Sequence, residues 1–402
     1  MKAAKSIGRI VTAGSILLAT SGCIIPPIYR FESGFIPSPS GQSALSHTES
    51  CGLLWLGGEP IELSRKEGLR VRRLRDGSLR MEIPRSERWR QVYPSRWSPN
   101  EQRVAFRAED RLWVASADRG EAQLIADEVS SSFAWVDPSN LVYVVPPCSV
   151  YRFSCPDGGR ALLFTGRHGE SSRWAFHYSN QVSEEGRFFA YSSRDEACFV
   201  DLTQGEVLHS FTIPEKFADV CWSPEGDFCL ARTFLTGMYP EDKLYVYDRE
   251  KGTLTDLTSA IPTGKEGRRE RVFHLSGWGA SAGGKWFLVG VSSLDVGSMR
   301  DYVCGLDSGS VTCLQEAVGA EFRDPRVANR GDGIALIKKG KDAGVYVTRV
   351  QLCADGRALL SRPRKLFRET SFASWFWSAD GRRLLVFKGG RFLEYDVGGV
   401  AD

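Results

Sequence analysis

The sequence contains few of the residues on which catalytic and metal sites are built. Only five of its 402 residues are histidine, and none stands in the HExxH spacing that holds zinc on a helix. No two cysteines have the CxxC spacing of zinc or thioredoxin-like redox sites, and no Gly-Lys-Ser/Thr phosphate loop occurs. The sequence therefore gives no reason to expect a metal or a cofactor.

The N-terminal apolar stretch, residues 10–19, is too short for a comfortable membrane span. It follows three basic residues and ends in Thr-Ser-Gly-Cys at 20–23, which is typical of an export signal. These small residues resemble a bacterial lipobox, in which the cysteine is diacylglycerated and becomes the new N-terminus, although Thr20 replaces the usual Leu. This predicts lipidation at Cys23, and the alternative is an ordinary cleaved signal with an incidental cysteine.

Ile24, rather than Asp, follows Cys23. By resemblance to sorted lipoproteins, this implies the outer membrane, facing the periplasm, if the host has one. Each buried methylene of such an anchor contributes about 0.8 kcal/mol. The predicted organisation is a signal peptide at 1–22, a Pro- and Ser-rich flexible tether at 23–50 and one folded unit at 51–402.

Charge balance argues against nucleic acid as a partner. Three of the 52 basic residues lie in residues 1–22, which hold no acid, and the remaining 49 face 49 acidic residues. The basic pI of the whole chain is therefore largely a property of the signal.

A short motif returns along the chain and predicts a repeated hairpin. In Trp-Ser-Pro-Glu-Gly at 222–226, an aromatic residue precedes a turn fixed by Pro224, and Gly226 can adopt the positive φ that leads into an apolar strand. Weaker copies bring the anchors to seven: Trp97, Trp135, Val182, Trp222, Trp278, Val327 and Trp377. Their spacing, roughly 38 to 56 residues, is that of a β-propeller blade.

A second hairpin follows several anchors, so a repeat holds four short strands. These hairpins are 112–115 with 122–125, 244–247 with 254–257, and 302–305 with 311–314. One such blade cannot bury both faces of its sheet, whereas a ring of blades forms a continuous core. The sequence predicts an all-β propeller of seven four-stranded blades.

The turn motif resembles that of TolB-type, WD-like propellers, whose blades carry Trp-Ser-Pro-Asp-Gly between two strands. The copies at Trp97, Trp222 and Trp377 carry the resemblance best, and it covers residues 70–397. It implies a fold more than a function, because propellers host many unrelated activities. The separate α/β domain that precedes the propeller of TolB itself has no counterpart.

The N-terminal part of the folded unit is expected to close the ring. Hairpins are predicted at 53–63 around Gly57 and Gly58, and at 69–83 around Asp76 and Gly77. The last repeat, from Trp377 to Val397, supplies only three strands. A strand from 53–63 or 69–83 is therefore expected to complete the last blade and protect its edge.

The same stretch is rich in arginine. Arg70, Arg72, Arg73 and Arg75 are candidate anion-binding residues, for lipid headgroups, a glycan, peptidoglycan or an acidic partner. The alternative, which we favour, is a solvated outer strand whose charges discourage edge pairing. One continuous exposed arginine face would favour the first reading, and pairing with acids would favour the second.

Ten cysteines occur, and export would permit disulfides. The candidate pairs are Cys148 with Cys155, Cys221 with Cys229, and Cys304 with Cys313, provided that the strand register brings them close enough. The alternative is that most are small buried hydrophobic residues.

Catalytic motifs are sparse. Gly-x-Ser-x-Gly occurs at 279–283, but a strand at 286–289 follows where a nucleophile elbow needs a helix, so we interpret it as a turn within a blade. Propeller enzymes often place scattered acids or histidines around the central opening, which a linear motif does not show.

Two long segments are candidate contact regions because long loops concentrate on binding faces. Residues 146–160 carry Tyr151 and Phe153, and residues 233–242 carry Phe234, Met238 and Tyr239. The favoured function is a lipid-anchored scaffold that binds another envelope protein. The alternatives are a propeller hydrolase or lyase acting on glycan or peptide, and a polyanion or peptidoglycan binder.

Overall fold

The computed structural model describes residues 29–56, 59–76, 78–83, 92–166, 181–192, 196–213, 216–234, 242–262, 271–293, 299–306, 309–328, 331–340, 342–355, 357–368, 374–378, 380–388 and 391–397. Within these residues the chain is all-β apart from one short helix, α1 (Leu314–Val318). The strands form eight antiparallel sheets that follow one another along the chain.

The first four blades lie within residues 29–212. Blade 1 contains β1 (Tyr29–Pro37), β2 (Ser43–Leu56), β3 (Glu59–Arg73) and β4 (Leu79–Ile83); blade 2 contains β5 (Val92–Trp97), β6 (Arg103–Ala108), β7 (Arg111–Ser116) and β8 (Ala122–Ala126). Blade 3 contains β9 (Phe133–Trp135), β10 (Asn140–Val145), β11 (Ser149–Ser154) and β12 (Arg160–Thr165). Blade 4 follows with β13 (Gln181–Val182), β14 (Phe188–Ser192), β15 (Glu196–Asp201) and β16 (Glu206–Thr212).

The last four blades comprise residues 216–396. Blade 5 contains β17 (Lys216–Trp222), β18 (Phe228–Phe234), β19 (Leu244–Asp248) and β20 (Thr253–Asp256); blade 6 contains β21 (Arg271–Ser281), β22 (Gly284–Ser293), β23 (Met299–Gly305) and β24 (Val311–Cys313). Blade 7 contains β25 (Phe322–Val327), β26 (Gly333–Lys338), β27 (Gly344–Leu352) and an outer strand in two parts, β28 (Ala358–Leu360) and β29 (Arg364–Phe367). Blade 8 contains β30 (Ser374–Trp377), β31 (Arg383–Lys388) and β32 (Arg391–Asp396).

The first strands of successive blades pack on one another, so they surround the axis of a ring, and most of the apolar clusters lie between neighbouring blades. This confirms the propeller class. The predicted number of seven blades is wrong, because the described residues form eight. The seven predicted repeats each have an aromatic or β-branched residue at the anchor position, whereas the corresponding residue of blade 1 is Pro37.

A serine turn shows that blade 1 is a true repeat. The Ser223 N–H donates to the Phe228 carbonyl at 2.9 Å and the Ser223 Oγ accepts the Phe228 N–H at 3.1 Å, while Gly226 takes φ +69° to close the turn. Ser38 makes the same two bonds with Ser43. Equivalent turns begin at Ser98, Ser183 and Ser378.

The anchor tryptophans join each blade to the one before it. The Trp377 Nε1–H donates to the Arg326 carbonyl at 2.9 Å, and Arg326 immediately precedes the anchor of blade 7. The same bond recurs from Trp97 to Ile36, Trp135 to Arg96, Trp222 to Gln181 and Trp278 to Cys221. Since every acceptor directly precedes the anchor position of the previous blade, these inter-blade tryptophan bonds confirm Pro37 as the anchor of blade 1.

The ring closes because one face of blade 1 packs on one face of blade 8. The prediction that an N-terminal strand completes the last blade is wrong for the described residues. Strands at 53–63 and 69–83 belong to β2, β3 and β4, which pair with one another inside blade 1. At the seam, Phe35 of β1 lies with its ring centroid 5.6 Å from Phe376 and 4.9 Å from Phe387 of blade 8. The boundary placed at residue 51 also differs from the structure, because β1 and the start of β2 occupy residues assigned to the tether.

Candidate functional site

A buried ion pair in blade 5, between Arg232 and Asp242, is hydrogen-bonded to the first strand of blade 6. Asp219 of β17 lies opposite Arg232 of β18. The Arg232 Nη1 donates to Asp242 Oδ2 at 3.3 Å and to the Phe273 carbonyl at 2.9 Å. Asp242 is 2 % exposed, and its Oδ2 also accepts the Phe273 N–H at 3.2 Å. The pair therefore fixes the start of β21 against blade 5.

His274 comes next on β21, and its Nε2 lies 3.0 Å from Ser292 Oγ of β22. Gln181 of blade 4 reaches the same region, where its Nε2 donates to Asp219 Oδ1 at 3.5 Å. First strands of three neighbouring blades thus contribute to one group of polar side chains. We call it the inner polar cluster: Gln181, Asp219, Arg232, Asp242, His274 and Ser292.

Burial and Arg232 set the proton affinities in this cluster. Burial raises the pKa of Asp219 and of Asp242, against the opposing charge of Arg232. Burial, together with Arg232, lowers the pKa of His274, against the opposing carboxylates. A neutral imidazole is the form that can accept a proton from the Ser292 hydroxyl.

Sequence reasoning missed most of this cluster. His274 was only one of five histidines, and Asp219, Arg232, Asp242 and Ser292 were not singled out. The available signal was a charged or polar residue three or four positions before an anchor, as Asp219 stands before Trp222 and His274 before Trp278. Such a residue lies on a first strand and so near the axis.

A cleft of about 330 Å³ opens at the other end of the same first strands, where the turns of blades 4, 5 and 6 meet. It is lined by Glu185, Ser223, Pro224, Glu225, Trp278, Gly279, Ala280 and Lys285. The Lys285 Nζ bonds Asp227 at 2.9 Å and Glu225 at 3.1 Å, which links blade 6 to blade 5. Partial burial opposes the charge of Lys285, but these two carboxylates outweigh it and raise its pKa. Glu185 is exposed and has no partner among the described residues.

The Gly-x-Ser-x-Gly segment is a turn within a blade, as predicted. Its first glycine lies within β21 and its last glycine is the turn residue directly before β22, and a Cβ on Gly279 would lie 2.2 Å from the Trp286 ring. A Cβ on Gly283 would lie 2.1 Å from the Leu352 carbonyl oxygen. Ser281 Oγ accepts the Leu352 N–H at 3.3 Å and thereby fastens blade 6 to blade 7. Close packing explains these glycines.

The contact region predicted at 146–160 contains the strand β11 and ends at the first residue of β12. Tyr151 and Phe153 lie on β11, where Phe153 is buried between blades 2 and 3. Tyr151 stacks on Tyr143 at 5.8 Å, and Arg160 covers its ring at 4.1 Å. Both aromatic residues therefore contribute to packing within or between blades. They do so because β11 continues the sheet of blade 3. Of the second region, Met238, Tyr239 and the side chain of Phe234 lie outside the described residues.

The four arginines of the predicted patch differ in their surroundings. Arg70 bonds Glu82 at 2.9 Å, and the Arg72 guanidinium lies 5.3 Å from the Phe387 ring centroid across the seam. Arg73 and Arg75 are exposed at the β3–β4 turn. The ion pair of Arg70 is of the kind that favours a solvated outer strand, whereas anion binding by this patch stays a prediction.

The candidate disulfides do not form, and all six cysteines are free thiols. Cys148 and Cys155 belong to apolar clusters on opposite faces of blade 3. Cys229 is opposite Trp222 and Cys221 is opposite Leu230, so these two thiols also point to opposite faces of their sheet. Cys304 and Cys313 share one cluster, each paired in register with another residue.

The described residues include no group of three His, Cys, Asp or Glu side chains placed to hold a metal. They also include no helix that is long and apolar enough to cross a bilayer. The predicted lipidation site, Cys23, lies outside the described residues.

No protein-family model matches the chain. No curated protein matches it either. Among solved structures, it is similar to the C-terminal WD40 domain of Sif2, with 10% identity, a TM-score of 0.45, and coverage of 92% of this chain and 82% of that one. It is also similar to the Myceliophteria thermophila Cps50 (Swd1) β-propeller domain, with 8% identity, a TM-score of 0.46, and coverage of 92% and 100%.

A third similar structure is the tricorn protease, with 11% identity and a TM-score of 0.42, over 91% of this chain and 42% of that one. All three TM-scores are below 0.5, and the propeller fold of this chain rests on its own eight sheets.

Proposed function

We propose that the chain is a protein-binding propeller, related to the TolB type, that is anchored by lipid at Cys23 in the bacterial cell envelope. The observation that carries the binding proposal is the cleft between the turns of blades 4, 5 and 6. Its walls are fastened across blades by Lys285, whereas the carboxylate of Glu185 is exposed and without a partner in the described structure. A preorganised wall with one uncompensated charge suits a cationic side chain of a partner protein.

The cleft can be tested by site-specific photocrosslinking in living cells, with the crosslinking residue at Ala280. We expect one stoichiometric envelope protein to be captured at Ala280 and not at Leu162, an exposed residue of the outer strand β12. Glu185→Lys should reduce capture at least tenfold, because it places a cation beside Lys285. The matched control, Glu250→Lys, makes the same charge change at an exposed turn residue of blade 5 and should leave capture unchanged. Equal capture in both variants would contradict the proposal.

The anchor has a separate test. Cys23→Ser removes the thiol to which the lipid would be attached. We expect loss of metabolic labelling by a fatty-acid analogue and release of the protein from the membrane fraction. Retention of label or of membrane association would overturn the lipoprotein assignment and leave the binding proposal standing.

A second function, hydrolysis of glycan or peptide, is favoured by one specific observation. The His274 ring nitrogen and the Ser292 hydroxyl form a base–nucleophile pair at 3.0 Å, close to two carboxylates and to the axis of the ring. If it is active, a fluorophosphonate probe should label the protein, and Ser292→Ala should abolish labelling while Ser276→Ala, on the same hairpin, preserves it. Absence of labelling in the intact protein would remove this candidate.

A further inference from the structure

The hairpin formed by β2 and β3 extends beyond the rest of blade 1. β1 pairs with β2 only as far as Cys51, and β4 pairs with β3 only from Leu69 to Arg72. Beyond these limits, residues 52–56 pair with 59–63 and, within the described part of the chain, with no other strand. We call these two segments the projecting hairpin. Since a lone two-stranded hairpin is only marginally stable in water, a surface that receives it would stabilise it.

The projecting hairpin is apolar in sequence at positions on both of its faces. Its large apolar residues are Leu53, Leu54, Trp55 and Leu56 on β2 and Ile61 and Leu63 on β3. Leu54 is opposite Ile61, and Trp55 is opposite Pro60. Successive residues of a strand belong to opposite faces, so these two pairs are on different faces. A surface that receives the hairpin has to surround it, which a fluid bilayer interface can do and a rigid sheet face cannot.

The proposed lipid anchor at Cys23 is close in sequence to this hairpin. β1 begins at Tyr29, which is opposite Cys51, so it begins at the end of blade 1 from which the hairpin projects. β2 continues past Cys51 to Leu56, and at about 3.3 Å per residue this places the tip about 17 Å beyond Tyr29. The chain from Cys23 to Tyr29 can span at most about 20 Å. A lipid at Cys23 would therefore keep the membrane within reach of the hairpin.

Basic residues come directly behind the apolar segments. Ser50 is opposite Arg30 of β1 on one side and Arg65 of β3 on the other, so the two arginines share one row across three strands. This row is next to Cys51, where the projection starts. Arginine at this level suits the phosphates of lipid headgroups, and tryptophan, present at position 55, is enriched at bilayer interfaces.

We propose that the projecting hairpin inserts into the interfacial region of the membrane that holds the lipid anchor, and thereby orients the propeller on it. The depth is limited to the headgroup region, because Glu59, Glu62 and the backbone groups at the hairpin edges are costly to place in hydrocarbon.

This orientation also concerns the cleft. The hairpin projects from the end of blade 1 opposite to the turn at Ser38, and the equivalent turns of blades 4, 5 and 6 surround the cleft. The cleft therefore faces away from the bilayer, where a partner protein can reach it. The inference rests on the proposed anchoring and deepens it by assigning a second membrane contact.

The test places a photocrosslinking residue at Leu56 of the full chain in living cells and identifies the adducts by mass spectrometry. We expect phospholipid adducts at position 56 and none when the crosslinking residue is at Leu124, an exposed residue of the outer strand β8. Trp55→Glu should reduce the lipid adducts at position 56 at least tenfold, because it adds a charge to the inserted segment. The matched control, Leu124→Glu, adds the same charge on blade 2 and should leave them unchanged.

Three results would overturn the proposal: no adduct at position 56, protein adducts in place of lipid, or equal lipid adducts in the two glutamate variants. Protein adducts would show that a partner or a second copy of this chain covers the hairpin, and their mass would tell these two apart. Fatty-acid labelling reports separately on the anchor. Label at Cys23 without lipid adducts refutes only the hairpin, and lipid adducts without label refute only the anchor. Capture at Ala280 tests the cleft independently of both.

Discussion

The His274 side chain lies among charges on blades 5 and 6. Burial and Arg232 lower its pKa from the ordinary 6.5, while Asp219 and Asp242 act in the opposite direction. The folded protein therefore binds this proton less tightly than the unfolded chain. The contribution of the neutral ring to stability is complete above pH of about 6.5 and is lost as the pH falls through the folded pKa.

We expect the native protein to lose more thermal stability than His274→Gln between pH 7.5 and pH 5. The raised pKa values of Asp219 and Asp242 favour the folded state as the pH falls, but both proteins carry these groups, so their effect is largely shared. Melting temperature as a function of pH, measured for both proteins, checks this. Parallel curves would show that the imidazole has an ordinary proton affinity.

Individual residues were predictable where they obey backbone rules. Gly226 was predicted to take positive φ, and it does. The inner polar cluster was not predictable. Asp219 and Asp242 are brought together by Arg232, and by the start of β21 once blade 6 packs on blade 5. That proximity depends on the packing of two blades, which no local pattern records.

At the scale of the blade, the tryptophan anchor has two roles, filling space and bonding to the previous blade. Trp377 does both, with its indole N–H on the Arg326 carbonyl. Trp286 is also buried, but its indole nitrogen has no hydrogen-bond partner among the described residues. The two side chains therefore separate loss of volume from loss of the bond.

We expect Trp377→Phe to lower the free energy of unfolding by about 1 kcal/mol more than Trp286→Phe, because only the first leaves a carbonyl without its donor. Urea denaturation of the two variants and the native protein measures the difference. Equal losses would mean that the inter-blade tryptophan bond contributes nothing beyond the packing of the ring.

The repeat also explains what the sequence could predict about the elements. Seven anchors were found because an aromatic or β-branched residue precedes each turn. Blade 1 was missed because Pro37 holds that position and its Pro- and Ser-rich surroundings are typical of a tether. Its turn nevertheless repeats the Ser-x-x-Gly pattern of Ser223 and Gly226 at Ser38 and Gly41, so the serine marks the one blade that the anchor residue does not.

For the whole molecule, the weak point of the ring is the seam between blades 1 and 8. Phe35 packs there against Phe376, Phe387 and Phe392, and no described strand crosses from one blade to the other. Phe199 is also buried, between blades 4 and 5, where the chain itself connects the blades.

We expect Phe35→Ala and Phe199→Ala each to cost about 3 to 5 kcal/mol of stability. Hydrogen exchange should tell them apart, with faster exchange in β1–β4 and β30–β32 for the first and in β13–β20 for the second. If Phe35→Ala speeds exchange evenly around the ring, the seam is no weaker than any other interface.

Closure by packing of faces could not be foreseen from the sequence. The count of three strands in the last repeat was correct for the described residues, and the inference that an N-terminal strand must fill the gap followed from the cost of an open edge. That inference was wrong because β1 to β4 pair with one another. No described strand of the N-terminal part is left to pair with blade 8.

The seam also determines when folding can finish. Blade 1 is synthesised first, and the aromatic face around Phe35 has its partner in blade 8, which is synthesised last. That face stays in contact with water, or with a chaperone, until the rest of the chain has emerged. Contacts between residues so far apart in sequence form slowly, because the intervening chain must be ordered first. The completed ring is thus the product of a single late event, and the time before it is when the protein is most exposed to aggregation and proteolysis.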